Sequence, residues 1–177
     1  MTRRLLLACM GVSMATLCAL AVMQVGAPDR VLMVYNPSNS VPRGWYRISR
    51  LEDVATLHVG SIVLARLPAD VAALAAQRGY LPGGVPILKR IGALAPQSVC
   101  VREQAVRIDG VVVANARTHD GEHRPLQAWP QCRSLAMSEL FLLSDTNPAS
   151  FDSRYFGPIA ASAVLGVAQP LWTWGAS

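Results

Sequence analysis

Charge is sparse in this sequence. Only 15% of its 177 residues are Asp, Glu, Lys or Arg, and none of these falls between Leu5 and Val25. An uncharged apolar run of about 21 residues, at about 1.5 Å per residue, reaches roughly 31 Å as a helix, which predicts a membrane-spanning segment over 5–25. Short catalytic signatures are missing as well. There is no Gly-x-Ser-x-Gly elbow, no Gly-x-x-x-x-Gly-Lys loop and no His-Glu-x-x-His pair, which sets aside the common serine-hydrolase, nucleotide-binding and zinc-helix readings. Histidine is scarce, with three in the chain. His58 reads as structural, and His119-Asp120-Gly121-Glu122-His123 reads as a solvated turn, so no metal and no other cofactor is expected and a Ser-His-Asp triad has no convincing histidine. Neither an internal repeat nor a low-complexity linker divides the chain.

Arg3 and Arg4 precede the apolar run and place a short cytoplasmic N-terminus at 1–4, with 26–177 outside the cytoplasm. A cleaved export signal is the competing reading, and the uninterrupted apolar length favours an uncleaved anchor. The formal net charge is +5. Its arginines are scattered and carry no interleaved aromatic patch, so the expectation is no nucleic-acid partner but a basic surface facing anionic membrane lipid. Cys9 and Cys18 sit in the apolar run as small apolar side chains. Cys100 and Cys132 lie in the exported part, where a disulfide is permitted, and a bridge closing about 32 residues would contribute roughly 3 to 4 kcal/mol in the chain-entropy account.

Beyond the anchor, short apolar runs alternate with turn signals, which makes the exported part mainly β. Strands are expected at 31–35, 45–48, 60–67, 85–91, 99–108, 111–114, 140–143 and 164–167. Asp109-Gly110 marks a two-residue hairpin, and residues 69–77, between Pro68 and Gly79, form a helix. The segment 115–131 reads as a long loop inside a small β and loop insert near 98–138, and 150–158 as a second dense polar loop.

Two stretches carry chemistry. Tyr35-Asn36-Pro37-Ser38-Asn39-Ser40-Val41-Pro42-Arg43-Gly44-Trp45-Tyr46 sets hydroxyls, a proline and a glycine between apolar runs, which presents a side chain at the head of a tight connection. Ser40 is the candidate nucleophile there, and a serine hydroxyl needs a base within reach. Lys89 lies in the apolar strand pattern Val85-Pro86-Ile87-Leu88-Lys89-Arg90-Ile91. An ammonium among such neighbours is costly, and desolvation brings a lysine from about 10.4 toward the pH 7 to 8 range where it can act as a base.

The ordered set of Ser-x-Ser-x-Pro at 38–42, Lys89-Arg90 in an apolar strand and Ser150-Phe151-Asp152-Ser153-Arg154-Tyr155-Phe156-Gly157 resembles the serine/lysine signal peptidases. Together with Pro42-Arg43-Gly44-Trp45-Tyr46 and Arg78-Gly79-Tyr80, it looks most like the TraF-type conjugative-transfer peptidases. The resemblance implies a signal-peptidase-like β catalytic domain with Ser40 as nucleophile and Lys89 as general base. Ser38 would join the Ser40 backbone N–H in the oxyanion hole, Ser150 would orient the lysine, and Asp152 and Arg154 would form a supporting ion pair. Val41, Ala95-Pro96-Gln97-Ser98 and Ser144-Asp145-Thr146-Asn147 depart from the general signal-peptidase pattern.

The function so implied is a membrane-anchored endopeptidase that processes an exported precursor, by family a conjugative pilin, in contact with lipid and with the transfer machinery. Hydrolysis and ring closure of the product are both open. A general signal peptidase I is one alternative, and a non-catalytic assembly factor of a conjugative secretion channel is another. The expected setting is a bacterial inner membrane, crossed once, with the catalytic domain in the periplasm. For Trp172 and Trp174 an interfacial contact and core packing are equal readings.

Overall fold

The computed structural model describes residues 32–174. The 5–25 run, with Cys9 and Cys18, lies outside them. No helix among the described residues is long and apolar enough to cross a membrane.

Strands β1 (Leu32–Asn36) and β2 (Arg43–Arg50) pair antiparallel, with Tyr35 opposite Trp45 and Asn36 opposite Gly44. Further along come β3 (Ile62–Ala65), helix α1 (Ala69–Gln77) and β4 (Ile87–Leu94). After these, β9 (Glu139–Leu143), α2 (Ser153–Phe156), β10 (Ile159–Ala160) and β11 (Val164–Trp174) complete a seven-stranded sheet in the order β1-β2-β11-β3-β4-β9-β10. Between β4 and β9 the chain builds a second sheet of four strands. These are β5 (Ser98–Arg102), β6 (Ala105–Ile108), β7 (Val111–Asn115) and β8 (Cys132–Ser134), ordered β7-β6-β5-β8.

The alternation of buried positions explains which runs look continuously apolar. In β9, Leu140 and Leu142 pack with Val63, Ile87 and Ile91, while Phe141 and Leu143 face Val99, Val106 and Trp129 beneath the second sheet. A strand buried on both faces needs apolar residues at every position, because successive side chains point to opposite sides. In β4 the same alternation sets Lys89 on the face of Ile87 and Ile91, with Val63 opposite it in the register.

Several expected boundaries change. The 99–108 run is two strands, because Glu103 and Gln104 turn the chain with φ of 49° and 70°. Asp109 and Gly110, at 50° and 84°, make the expected hairpin. Residues 153–156 form a helical turn inside the polar loop, capped by the Asp152 side chain accepting from the Arg154 N–H. The last strand continues to Trp174 along β2. Gly44 explains why that pairing needs a glycine: its φ is 143°, and an added Cβ would lie 2.1 Å from the Trp172 carbonyl oxygen.

Candidate active site

Ser40 sits in the connection between β1 and β2, which bends back on itself because Asn36 ties it together. The Asn36 carboxamide donates to the carbonyls of Ser38 (2.9 Å), Val41 (3.1 Å) and Pro42 (3.2 Å). Its Oδ1 accepts from the Ser38 N–H (3.1 Å) and the Ser38 hydroxyl (2.8 Å). The Tyr46 hydroxyl donates to the Pro42 carbonyl at 2.6 Å, and Thr146 Oγ1 donates to the Asn39 carbonyl at 2.6 Å. Ser40 is buried, and its Oγ lies 2.8 Å from Ser38 Oγ.

Lys89 is the sole lysine of the chain and is 5% exposed. Its Nζ donates to Ser150 Oγ. Burial among apolar neighbours, opposed by the Asp152 carboxylate and assisted by the Arg154 guanidinium, lowers its pKa to about 8. At that value a substantial share of the amine is neutral at mildly alkaline pH, which a proton acceptor requires.

Ser150 is held from behind. Arg154, 1% exposed, donates through Nη2 to the Ser150 carbonyl at 3.0 Å and forms a two-point ion pair with Asp152, at 2.7 Å and 2.8 Å. It also donates to the carbonyls of Asn115, Pro148 and Asn147. Asp152 in turn accepts from the Ser144 N–H at 3.0 Å. A buried guanidinium is tolerated only when its donors are satisfied and its charge is matched, and here both conditions hold.

The structure therefore brings Ser38 to Ser40 and Lys89 to Ser150. All four line one cavity of about 720 Å³, with Asn36, Tyr80 and Phe151 among its walls. Among the described residues no hydrogen bond joins Ser40 to Lys89 directly. Asp120 anchors one rim, accepting from the Tyr80 hydroxyl and from Arg124 Nε. Away from the cavity, Cys100 and Cys132 are joined by a disulfide across the β5–β8 pair. Trp172 and Trp174 are exposed, so core packing is not their role; the Tyr35 ring meets Trp45 and Trp174 at tilted angles of 52° and 37° on the same part of the sheet.

Sequence reasoning missed two groups. Asn36 was readable as an Asn-Pro turn opener but carried no sign that its side chain spans the whole connection. Tyr80 lies forty residues before Asp120 and its close neighbour Arg124, and only the folded chain joins it to them.

A chain with two hydroxyls and a desolvated lysine at the head of a mainly β domain belongs to a recognisable class. Residues 4–174 match the family described as signal peptidase, peptidase S26, and the chain belongs to that family of serine peptidases. Its relatives include the plasmid transfer protein TraF of Escherichia coli, 30% identical over 87% of this chain and 90% of that one. A probable conjugal transfer protein TraF of Sinorhizobium fredii is 34% identical over 78% of this chain and 76% of its own length. The conjugal transfer protein TraF of Agrobacterium fabrum is 30% identical over 98% and 99%. Among solved structures, a signal peptidase I of Enterococcus faecalis covers 65% of this chain and 98% of its own, at 22% identity and a TM-score of 0.40.

Proposed function

We propose that this protein is a membrane-anchored endopeptidase of the TraF type, in which Ser40 attacks and Lys89 serves as general base. The observation that carries the reading is the lysine: the one lysine of the chain is buried in an apolar strand, its pKa lowered to about 8, and it faces the same cavity as an oriented serine hydroxyl.

In this mechanism neutral Lys89 Nζ takes the Ser40 Oγ proton as Oγ bonds to the substrate carbonyl carbon. The oxygen that becomes negative accepts from the Ser40 N–H and from Ser38 Oγ. Collapse breaks the carbon–nitrogen bond, and the ammonium of Lys89 returns its proton to the departing amine. Water then releases the acyl group, or an amine of the same substrate takes its place and closes a ring. Ser150 keeps Nζ directed into the cavity, and the Asp152–Arg154 pair keeps Ser150 in place.

The printed names of the relatives favour a precursor used in conjugation, a pilin being the best fit, with the transfer machinery nearby. The 5–25 run supports a single inner-membrane crossing with residues 26–177 in the periplasm, and the exposed Tyr35, Trp45, Trp172 and Trp174 suit a lipid surface. In a purified system with a pilin precursor, Ser40→Ala and Lys89→Met should each abolish processing, and the double variant should be no worse than either alone. Full processing by either single variant would remove the mechanism.

A further inference from the structure

Asn36 does more than shape the connection, because it decides where the proton of Ser38 goes. Three carbonyl oxygens face one end of its carboxamide and an N–H faces the other, so Nδ2 and Oδ1 can be arranged in only one way. A carboxamide oxygen only accepts, and the hydrogen bond from Ser38 Oγ to Asn36 Oδ1 therefore uses the single proton of Ser38. Across the 2.8 Å contact between the two serines, Ser38 is left as acceptor and Ser40 as donor. Ser38 Oγ also lies 3.4 Å from the Ser40 N–H, on which it again acts as acceptor.

In this resting arrangement neither serine is set for reaction. The Ser40 proton points to Ser38 and the Ser38 proton points to Asn36, whereas acylation needs the first directed to Lys89 and the second to the substrate oxygen. We propose that Asn36 is a positioning residue that parks the Ser38 proton at rest and, by holding Ser38 Oγ beside Ser40, delivers it to the oxyanion when substrate arrives. The inference rests on the Ser40/Lys89 peptidase reading and goes beyond it. Asn36 touches no reacting atom and acts only through Ser38. No bond is made or broken in the exchange. One O–H turns from Asn36 Oδ1 to the substrate oxygen as the Ser40 proton turns to Nζ.

The test compares two probes on the full chain in detergent. An acetyl-tripeptide aldehyde ending in alaninal forms a tetrahedral adduct with a serine and develops the oxyanion, and the corresponding alcohol binds without adding. Asn36→Ala should weaken the aldehyde at least tenfold and leave the alcohol within twofold of the unaltered protein. In a Ser38→Ala background the same change should cost no more than a further twofold. Asn36→Ser keeps a polar group in the buried position but cannot span from Ser38 to Pro42; it carries the same expected ratio and serves should Asn36→Ala not fold. Equal weakening of both probes, or an aldehyde loss that multiplies with that of Ser38→Ala, would make Asn36 a purely structural residue and overturn the inference while leaving the peptidase reading intact. An aldehyde that binds the Ser40→Ala variant as tightly as the unaltered protein would overturn both.

Discussion

Replacing Lys89 by Met should stabilise the protein near neutral pH, although it removes the proposed base. The two side chains are similar in length, and Met leaves no charge on the face shared with Ile87 and Ile91. The folded protein holds the Lys89 proton with a pKa of about 8, against 10.5 for the free side chain, chiefly because burial disfavours the ammonium. Over that gap, at about 1.4 kcal/mol per pH unit, the penalty approaches roughly 3 kcal/mol at pH 7. Between 8 and 10.5 the unfolded chain holds more protons than the folded one, so the stability tied to this group rises with pH. It is fully present above 10.5 and is lost as pH falls through 8. About 2 kcal/mol should return between pH 7 and pH 9.5. Denaturant titrations of the unaltered protein and the Lys89→Met variant at a series of pH values read this directly, and subtracting the variant cancels every other titrating group. Some of the gain at pH 7, about 1 kcal/mol, is offset because Ser150 Oγ loses its donor. Stability curves for the two proteins that run parallel from pH 7 to 9.5 would refute the buried, lowered lysine.

Two further outcomes follow from the surroundings of the site. Arg154→Met removes the partner of a fully buried carboxylate and leaves several carbonyls without a donor, and should lower stability by roughly 3 to 5 kcal/mol, measured by thermal melting; a loss under about 1 kcal/mol would mean that the pair supports nothing. The exposed rings of Trp45, Trp172 and Trp174 should shift their fluorescence to shorter wavelength when vesicles of anionic lipid are added to the fragment from Gly26 onward, and that fragment should process a membrane-embedded precursor far better with lipid than without; an unchanged spectrum and lipid-independent activity would leave the 5–25 run as an address only.

How much of this was legible in the sequence depends on how local the cause is. Helix α1 and the Asp109-Gly110 hairpin were readable because proline, glycine and an Asp-Gly pair act over a few residues. The turn at Glu103-Gln104 was not, since neither residue is an ordinary bearer of positive φ and the run around them stays strand-like. Strand β8 escaped notice because its three residues are all exposed and show no alternation; its pairing with β5, beside the disulfide, defines it. In the site, Ser40 and Lys89 announced themselves by a tight loop and by a charge in an apolar strand. Arg154 gave no such sign of its reach. Its acceptors lie at Asn115, Asn147, Pro148 and Ser150, and only the folded chain gathers these carbonyls around one guanidinium.

The central claim is that Lys89 is the base for Ser40, and the chain allows an unusually direct measurement because it has a single lysine. Protein labelled with ¹⁵N-lysine gives one side-chain nitrogen signal to titrate, and kcat/KM for a peptide spanning a pilin cleavage site can be followed against pH on the same preparation. The account predicts that the Nζ signal and the rising limb of kcat/KM both turn at about 8, activity increasing as the ammonium loses its proton. A nitrogen that titrates near 10.4, or an activity that rises at a pH where Lys89 does not change state, would contradict it.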